Sequence, residues 1–127
     1  MNLEKVVFAF FIVFAATLNF GFFIGDIDRP ELHNIYELFA AIVVNMIATV
    51  LKFGDRTQIG AVLLSTSLVA DIQLIAAAVL WAVVVHVTGT GMTPEHTSSV
   101  VSLSGGALLA NIVSLIMLIV ETVMMRR

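Results

Sequence analysis

Apolar residues along the chain gather into four long runs, separated by short polar breaks rich in Gly, Pro, Asp and Thr. The runs extend from Val6 to Gly25, from about Asn34 to Leu51, between Arg56 and His86, and from Thr97 to Val120. Each approaches or exceeds the roughly 20 mostly apolar residues that an α-helix needs to cross about 30 Å of hydrocarbon. The pattern predicts a single all-α domain over residues 1–127, a polytopic membrane protein with four transmembrane helices over about 5–25, 29–53, 57–88 and 94–124. The first run is of span length, so it reads as a helix rather than a secretory leader. The third stretch is longer than one span requires, which leaves room for a break in that helix.

The breaks carry helix signals. In "DIDRPELHN", Asp28 and Glu31 have capping-box spacing. In "MTPEH", Thr93 is a cap, Pro94 takes the first helical position, and Glu95 follows. In "LKFGDR", Lys52 lies in a last turn and Gly54 is a left-handed cap. Helices 2 and 3 therefore form a tight antiparallel hairpin.

Within the runs, polar residues fall in stripes. Asn34, Glu37, Ala41, Asn45, Ala48 and Lys52 share about 80° of arc on helix 2. On helix 4, Ser104, Ala107, Asn111, Ser114, Leu118 and Glu121 form a less complete stripe. Helix 1 offers Asn19 and holds seven of the nine phenylalanines, a packing or lipid-facing surface. In helix 3, Asp71 and Gln73 stand about 200° apart and cannot serve one site in one protomer. One of them is expected to face its own bundle and the other a neighbouring subunit or a cavity, which argues for self-association. Rise per residue puts Asp71, Asn19 and Asn111 each about 21–22 Å from a basic residue at their helix end, and Asn45 only about 10 Å from Lys52. Asp71, Asn19 and Asn111 are thus expected in one layer.

Composition sharpens the class. The chain is 60% hydrophobic and 12% charged, far from the usual balance of a soluble domain. A net charge of −3 argues against nucleic acid as a partner. The absence of cysteine removes disulfides, thiolate metal sites and thiol nucleophiles. Lys5, Lys52, Arg56, Arg126 and Arg127 share one side of a four-span protein, against Arg29 alone on the other. Basic residues concentrate on the cytoplasmic side, so both termini are expected there.

Asp71 is the costliest of the buried groups. An aspartate at mid-bilayer costs about 2.5–3.5 kcal/mol on insertion scales and usually faces a cavity, a partner or an ion path. It is either a transport or gating group or a buried, neutral, hydrogen-bonded acid. Asn19, Asn45 and Asn111 are either part of such a path or bonds between helices. At the opposite end, Asp26, Asp28 and Glu31 are candidates for an acidic vestibule that concentrates cations, or simply for loop and capping roles. His33, His86 and His96 are weak candidates for a divalent metal. No cofactor is expected. Neither HExxH, GxSxG nor a phosphate loop occurs, and no internal repeat is evident, so an enzyme is not expected.

The stretch "YELFAAIVVNMIATVLKFGDRTQIGAVLL" resembles a family of small uncharacterised four-span proteins of bacterial inner membranes, and the likeness runs from "MNLEKVVFAFF" to "ETVMMRR". The resemblance implies a bacterial inner membrane and four helices and supplies no site residues. Taken together, these features suggest a homo-oligomer that conducts or transports small cations along Glu37, Asn45, Asp71, Asn111 and Asn19. Lys52 is awkward on such a path unless Asp55 or Glu121 pairs with it. The alternative is a non-conducting accessory subunit or scaffold, in which the polar stripes contact a larger membrane-protein partner and Asp71 pairs with a basic or amide group there; Gln73, Lys52 and Glu121 are interface candidates.

Overall fold

The computed structural model describes residues 3–26, 29–89 and 91–125. Four helices dominate it: α1 (Leu3–Phe23), α2 (Ile35–Lys52), α3 (Gln58–Ala82) and α4 (Pro94–Met125). All four are long and apolar enough to cross a membrane. The principal contacts run α1–α2, α2–α3, α3–α4 and α4–α1, an antiparallel up-down bundle closed on itself. Outward faces carry exposed Phe10, Val43, Ile72 and Ile116, apolar surfaces that suit lipid chains.

Local chemistry sets the helix ends. Gly25 adopts φ +113° after α1, a backbone that a residue with a Cβ rarely accepts. α2 starts later than the Asp28–Glu31 spacing suggests. Pro30–Leu32 form a single 3-10 turn, His33 is extended, and Asn34 caps the helix by accepting from the Tyr36 N–H at 2.9 Å. Asp28 lies outside the described residues. Glu31 instead accepts from the Arg29 guanidinium at 2.8 Å. The His33 ring explains the delayed start: it lies 2.6 Å from the Phe22 carbonyl and 2.8 Å from the Asp26 carbonyl, which ties the chain to the end of α1 before α2 begins.

The hairpin turn follows the expected signals. Gly54 has φ +92°, and Thr57 caps α3 by accepting from the Gly60 N–H at 3.0 Å. Thr93 does the same for α4, accepting from the His96 N–H at 3.2 Å. α3 is continuous, and its surplus length is taken up by a π-helical turn, Val83–Val87, closed by the Thr88 N–H on the Val83 carbonyl.

The apolar core has two parts. One, near the His33 end, gathers Phe22, Leu38, Ala41, Leu74, Ala77 and Ala107. The other, near the Lys52 end, gathers Phe8, Ile12, Ala48, Leu63 and Leu118. Between them along α2, α3 and α4 lie Asn45, Thr49, Ser67, Asp71, Asn111 and Ser114, all buried. Polar groups therefore interrupt the core at mid-bundle.

Candidate functional site

Asp71 is the centre of that interruption and is only 7% exposed. Asn45 Nδ2 donates to Asp71 Oδ1 at 2.6 Å and to the Ser67 carbonyl at 3.2 Å. Thr49 Oγ1 donates to Asp71 Oδ2 at 2.6 Å. Asn45 and Thr49 are one turn apart on α2, so a single face of that helix grips both carboxyl oxygens. No ion pair reaches Asp71 among the described residues; the ammonium nearest in sequence along the same α2 face, Lys52, is engaged with Asp55 at 3.5 Å and over the Phe8 ring at 4.4 Å.

Among the described residues, four buried side-chain atoms at this level have no hydrogen-bond partner: Asn45 Oδ1, Ser67 Oγ, and both Nδ2 and Oδ1 of Asn111. Each such atom costs about 1–3 kcal/mol when left unpaired in a dry interior. Contacts on every side of the bundle place these atoms at one depth. The α3–α4 register is set by the Thr66–Ser114 hydroxyl pair and by Gln73 against Gly106. That between α1 and α4 is set by Asn19–Ser104 and by Lys5–Glu121 at 2.9 Å. Glu37 over Gly21 and Lys52 over Phe8 fix α1–α2. Interpolating between these contacts brings Asn111 opposite Ser67–Asp71 and Asn45 opposite Ala15, in a stretch of α1 where the buried residues Ile12, Ala15 and Ala16 are apolar.

Asn19 is elsewhere. Its amide donates to the Ser104 carbonyl at 3.0 Å and its carbonyl accepts from the Ser104 hydroxyl, a reciprocal and satisfied pair between α1 and α4. The layer of Asn19, Asp71 and Asn111 expected from helical rise is thus replaced by one containing Asn45. The cause is an offset hairpin. Thr49 lies three residues from the end of α2 and Asp71 thirteen into α3, yet they bond, so the first turns of α3 overhang α2.

Glu37 does not join the layer. It sits eight residues from Asn45 on α2, about 12 Å along the axis, with its carboxylate against Gly21 of α1. A Cβ at Gly21 would collide with it. Gln73 does not face outward: its amide occupies the space above Gly106 on α4, where a Cβ would collide. α3 lies between α2 and α4, so Asp71 and Gln73 point oppositely yet both stay inside the bundle. Lys52 is 8% exposed and pairs with Asp55, and Glu121 pairs with Lys5, so both have partners within the protomer.

At the Lys52 end, an open recess of about 890 Å³ is lined by Lys5, Lys52, Asp55, Arg56 and Glu121 among others. Lys52, which lines the recess, lies one turn from Thr49 on α2. The Thr57 hydroxyl and backbone N–H, with Lys52 contributing less, hold the Asp55 carboxyl below the usual carboxylate range.

At the other end the expected vestibule groups have local partners. Arg29 lies 3.8 Å from Asp26 and 2.8 Å from Glu31. The Glu31 carboxyl is held below its usual range by its own backbone N–H first and by Arg29 second. His86 packs edge-on against Trp81 with ring centres 5.6 Å apart, and His96 Nδ1 lies 3.1 Å from the Thr93 hydroxyl. With His33 on its two carbonyls, the three histidines do not converge, and no group of three His, Asp or Glu could hold a metal among the described residues.

Thr49 was not among the residues singled out by sequence. Its spacing of four from Asn45 within an apolar run was the available signal. Ser67 was visible only as a small residue on the Asp71 face.

The helices and their apolar faces define a multi-pass membrane protein. Within that class, the chain belongs to a family of unknown function (DUF6394), which matches residues 32–122. The matched region contains Asn45, Thr49, Ser67, Asp71 and Asn111 and leaves out α1 with Asn19. No curated protein and no solved structure matches the chain.

Proposed function

We infer that this protein transports a small cation across a bacterial inner membrane through the interior of its own bundle, with Asp71 as the cation-binding group and both termini cytoplasmic. One observation carries the reading. A carboxylate buried between two apolar half-cores is bonded only by neutral donors, Asn45 and Thr49. Intramembrane acids without a built-in counter-charge are costly and mark ion or proton paths.

Access is from the Lys52 end. The recess there carries the basic residues, which supports a cytoplasmic location for it. Lys52 is drawn aside to Asp55 and Phe8, which leaves the approach to Thr49 and Asp71 less repulsive to a cation. Phe8, Ile12, Leu63 and Leu118 shut the path on this side, as Leu38, Ala41, Leu74 and Ala107 do on the other, so the site is occluded and the Lys52-side layer has to part to admit a cation. This favours a carrier exposing Asp71 to one side at a time over an open pore, and it makes a pore between subunits unnecessary. Self-association remains compatible with the apolar outer faces. The accessory-subunit reading is less well supported, because Gln73, Lys52 and Glu121 are engaged within the protomer.

The test is flux. Purified protein in liposomes is expected to pass a monovalent cation or protons, and Asp71→Asn to lower the rate at least tenfold. Wild-type vesicles no leakier than empty ones would favour the accessory role.

A further inference from the structure

The geometry points to a more specific ligand: the mid-bundle layer coordinates a dehydrated alkali cation of sodium size, through the Asp71 carboxylate, Asn45 Oδ1, Ser67 Oγ and Asn111 Oδ1. The inference rests on the reading that Asp71 is the cation-binding group, and it names the substrate class.

The unpartnered atoms choose between ligands. A proton on Asp71 would neutralise the carboxylate and still leave Asn45 Oδ1, Ser67 Oγ and the Asn111 amide unpaired. A metal cation serves the three oxygens among them at once and leaves only Asn111 Nδ2. Carboxylate, amide carbonyl and hydroxyl oxygens are hard donors, suited to hard cations. Asn45 Nδ2 is committed to Asp71 and the Ser67 carbonyl, which fixes the amide and leaves its Oδ1 as the group still to be filled. Ser67, Asn45 and Asn111 are each 0% exposed, so bulk water does not reach them. A single water sharing the site would take the Asn111 N–H, as buried waters commonly do.

Charge then selects valence. The layer holds one carboxylate, and Lys52 is engaged elsewhere. One positive charge gives a neutral site, whereas a divalent ion would leave an uncompensated charge at low dielectric. Calcium takes six to eight oxygens, and magnesium demands near-octahedral geometry and keeps several waters. Four protein oxygens and one carboxylate fit neither. Four donor groups and one water suit a small alkali ion better than potassium, which is larger and gathers more oxygens.

The experiment measures binding without transport. Full-length protein in detergent and choline chloride is melted across a titration of NaCl, KCl or LiCl at constant ionic strength. A ligand that binds only the folded state raises Tm saturably. Sodium is expected to do so at concentrations at least tenfold below potassium. Asn111→Leu and, separately, Ser67→Ala are expected to shift the sodium midpoint at least tenfold upward while melting no lower in choline. Indistinguishable sodium and choline curves would overturn the inference, as would sodium midpoints unmoved in both variants. Flux in liposomes reports separately on the transport reading: proton flux lost in Asp71→Asn, with no sodium effect on Tm, rejects the sodium site and keeps the carrier. Sodium-dependent melting without any flux keeps the site and rejects the carrier.

Discussion

Thr49→Val tests the grip of α2 on Asp71 most cleanly, because it removes one hydroxyl and nearly conserves shape. That hydroxyl donates to Asp71 Oδ2 at 2.6 Å and lies 3.0 Å from the Asn45 carbonyl. Two magnitudes compete. Hydrogen bonds between membrane helices average about 0.6 kcal/mol and reach about 1.7. Bonds to a charged group contribute about 1.5–3 kcal/mol in soluble proteins. The Thr49 bond is buried and involves a carboxyl, so it belongs near the top of the membrane range, about 1.5 kcal/mol. The carbonyl contact adds little, since the Asn45 carbonyl already accepts within the helix. A double-mutant cycle with Asp71→Leu isolates the pair from both single-site effects. Reversible unfolding in mixed micelles is expected to give a coupling of about 1.5 kcal/mol, roughly tenfold in the unfolding constant. A coupling below about 0.3 kcal/mol would show that Thr49 and Asp71 are not bonded, and the offset of the α2–α3 hairpin would fall with it.

Two further predictions concern the bundle ends. Asp55 accepts from the Thr57 N–H and hydroxyl at 3.0 and 2.7 Å, and its carboxyl is held below the ordinary value of 3.8. A carboxyl lowered in the folded state contributes stability that is present above its unfolded pKa and lost as pH falls through the folded one. Asp55→Ala should therefore melt below wild type at pH 7, with the gap closing under acid below the ordinary carboxylate value. A gap independent of pH would mean that the α3 cap does not depend on the Asp55 charge. His33→Leu removes both ring contacts, to the Phe22 and Asp26 carbonyls, while keeping apolar packing on Phe22. A loss of about 1–3 kcal/mol is expected by thermal or denaturant unfolding, since each lost partner leaves a carbonyl exposed or unpaired. An unchanged Tm would show that His33 does not set the α1–α2 connection.

Much of the fold is legible in the sequence because span length is a coarse physical requirement. Four apolar runs, the Gly54 turn and the Thr93–Pro94 start follow from hydrocarbon thickness and from local backbone chemistry alone. The start of α2 was not legible. The Asp28–Glu31 spacing satisfies a local rule, and the His33 ring overrides it through contacts with α1 some eleven residues earlier. Depth failed for a similar reason. Rise per residue locates Asp71 within α3 but says nothing about how far α3 overhangs α2, so it points to a layer shared with Asn19 and Asn111, whereas Asp71 bonds Asn45. The angular reading of Asp71 and Gln73 was sound as geometry. It misled only because α3 has a neighbour on each side, and a polar group opposite Asp71 meets Gly106 of α4 instead of another subunit.

The central claim is that Asp71, among the buried polar groups, handles the cation. Asn19 provides the control, since its bonds to Ser104 are complete and lie outside the layer. Proteoliposomes carrying wild type, Asp71→Asn or Asn19→Leu at matched protein content would be compared for sodium and proton flux. The account predicts flux in wild type, near-wild-type flux in Asn19→Leu, and at least a tenfold loss in Asp71→Asn. Equal flux in wild type and Asp71→Asn, or a loss confined to Asn19→Leu, would contradict it.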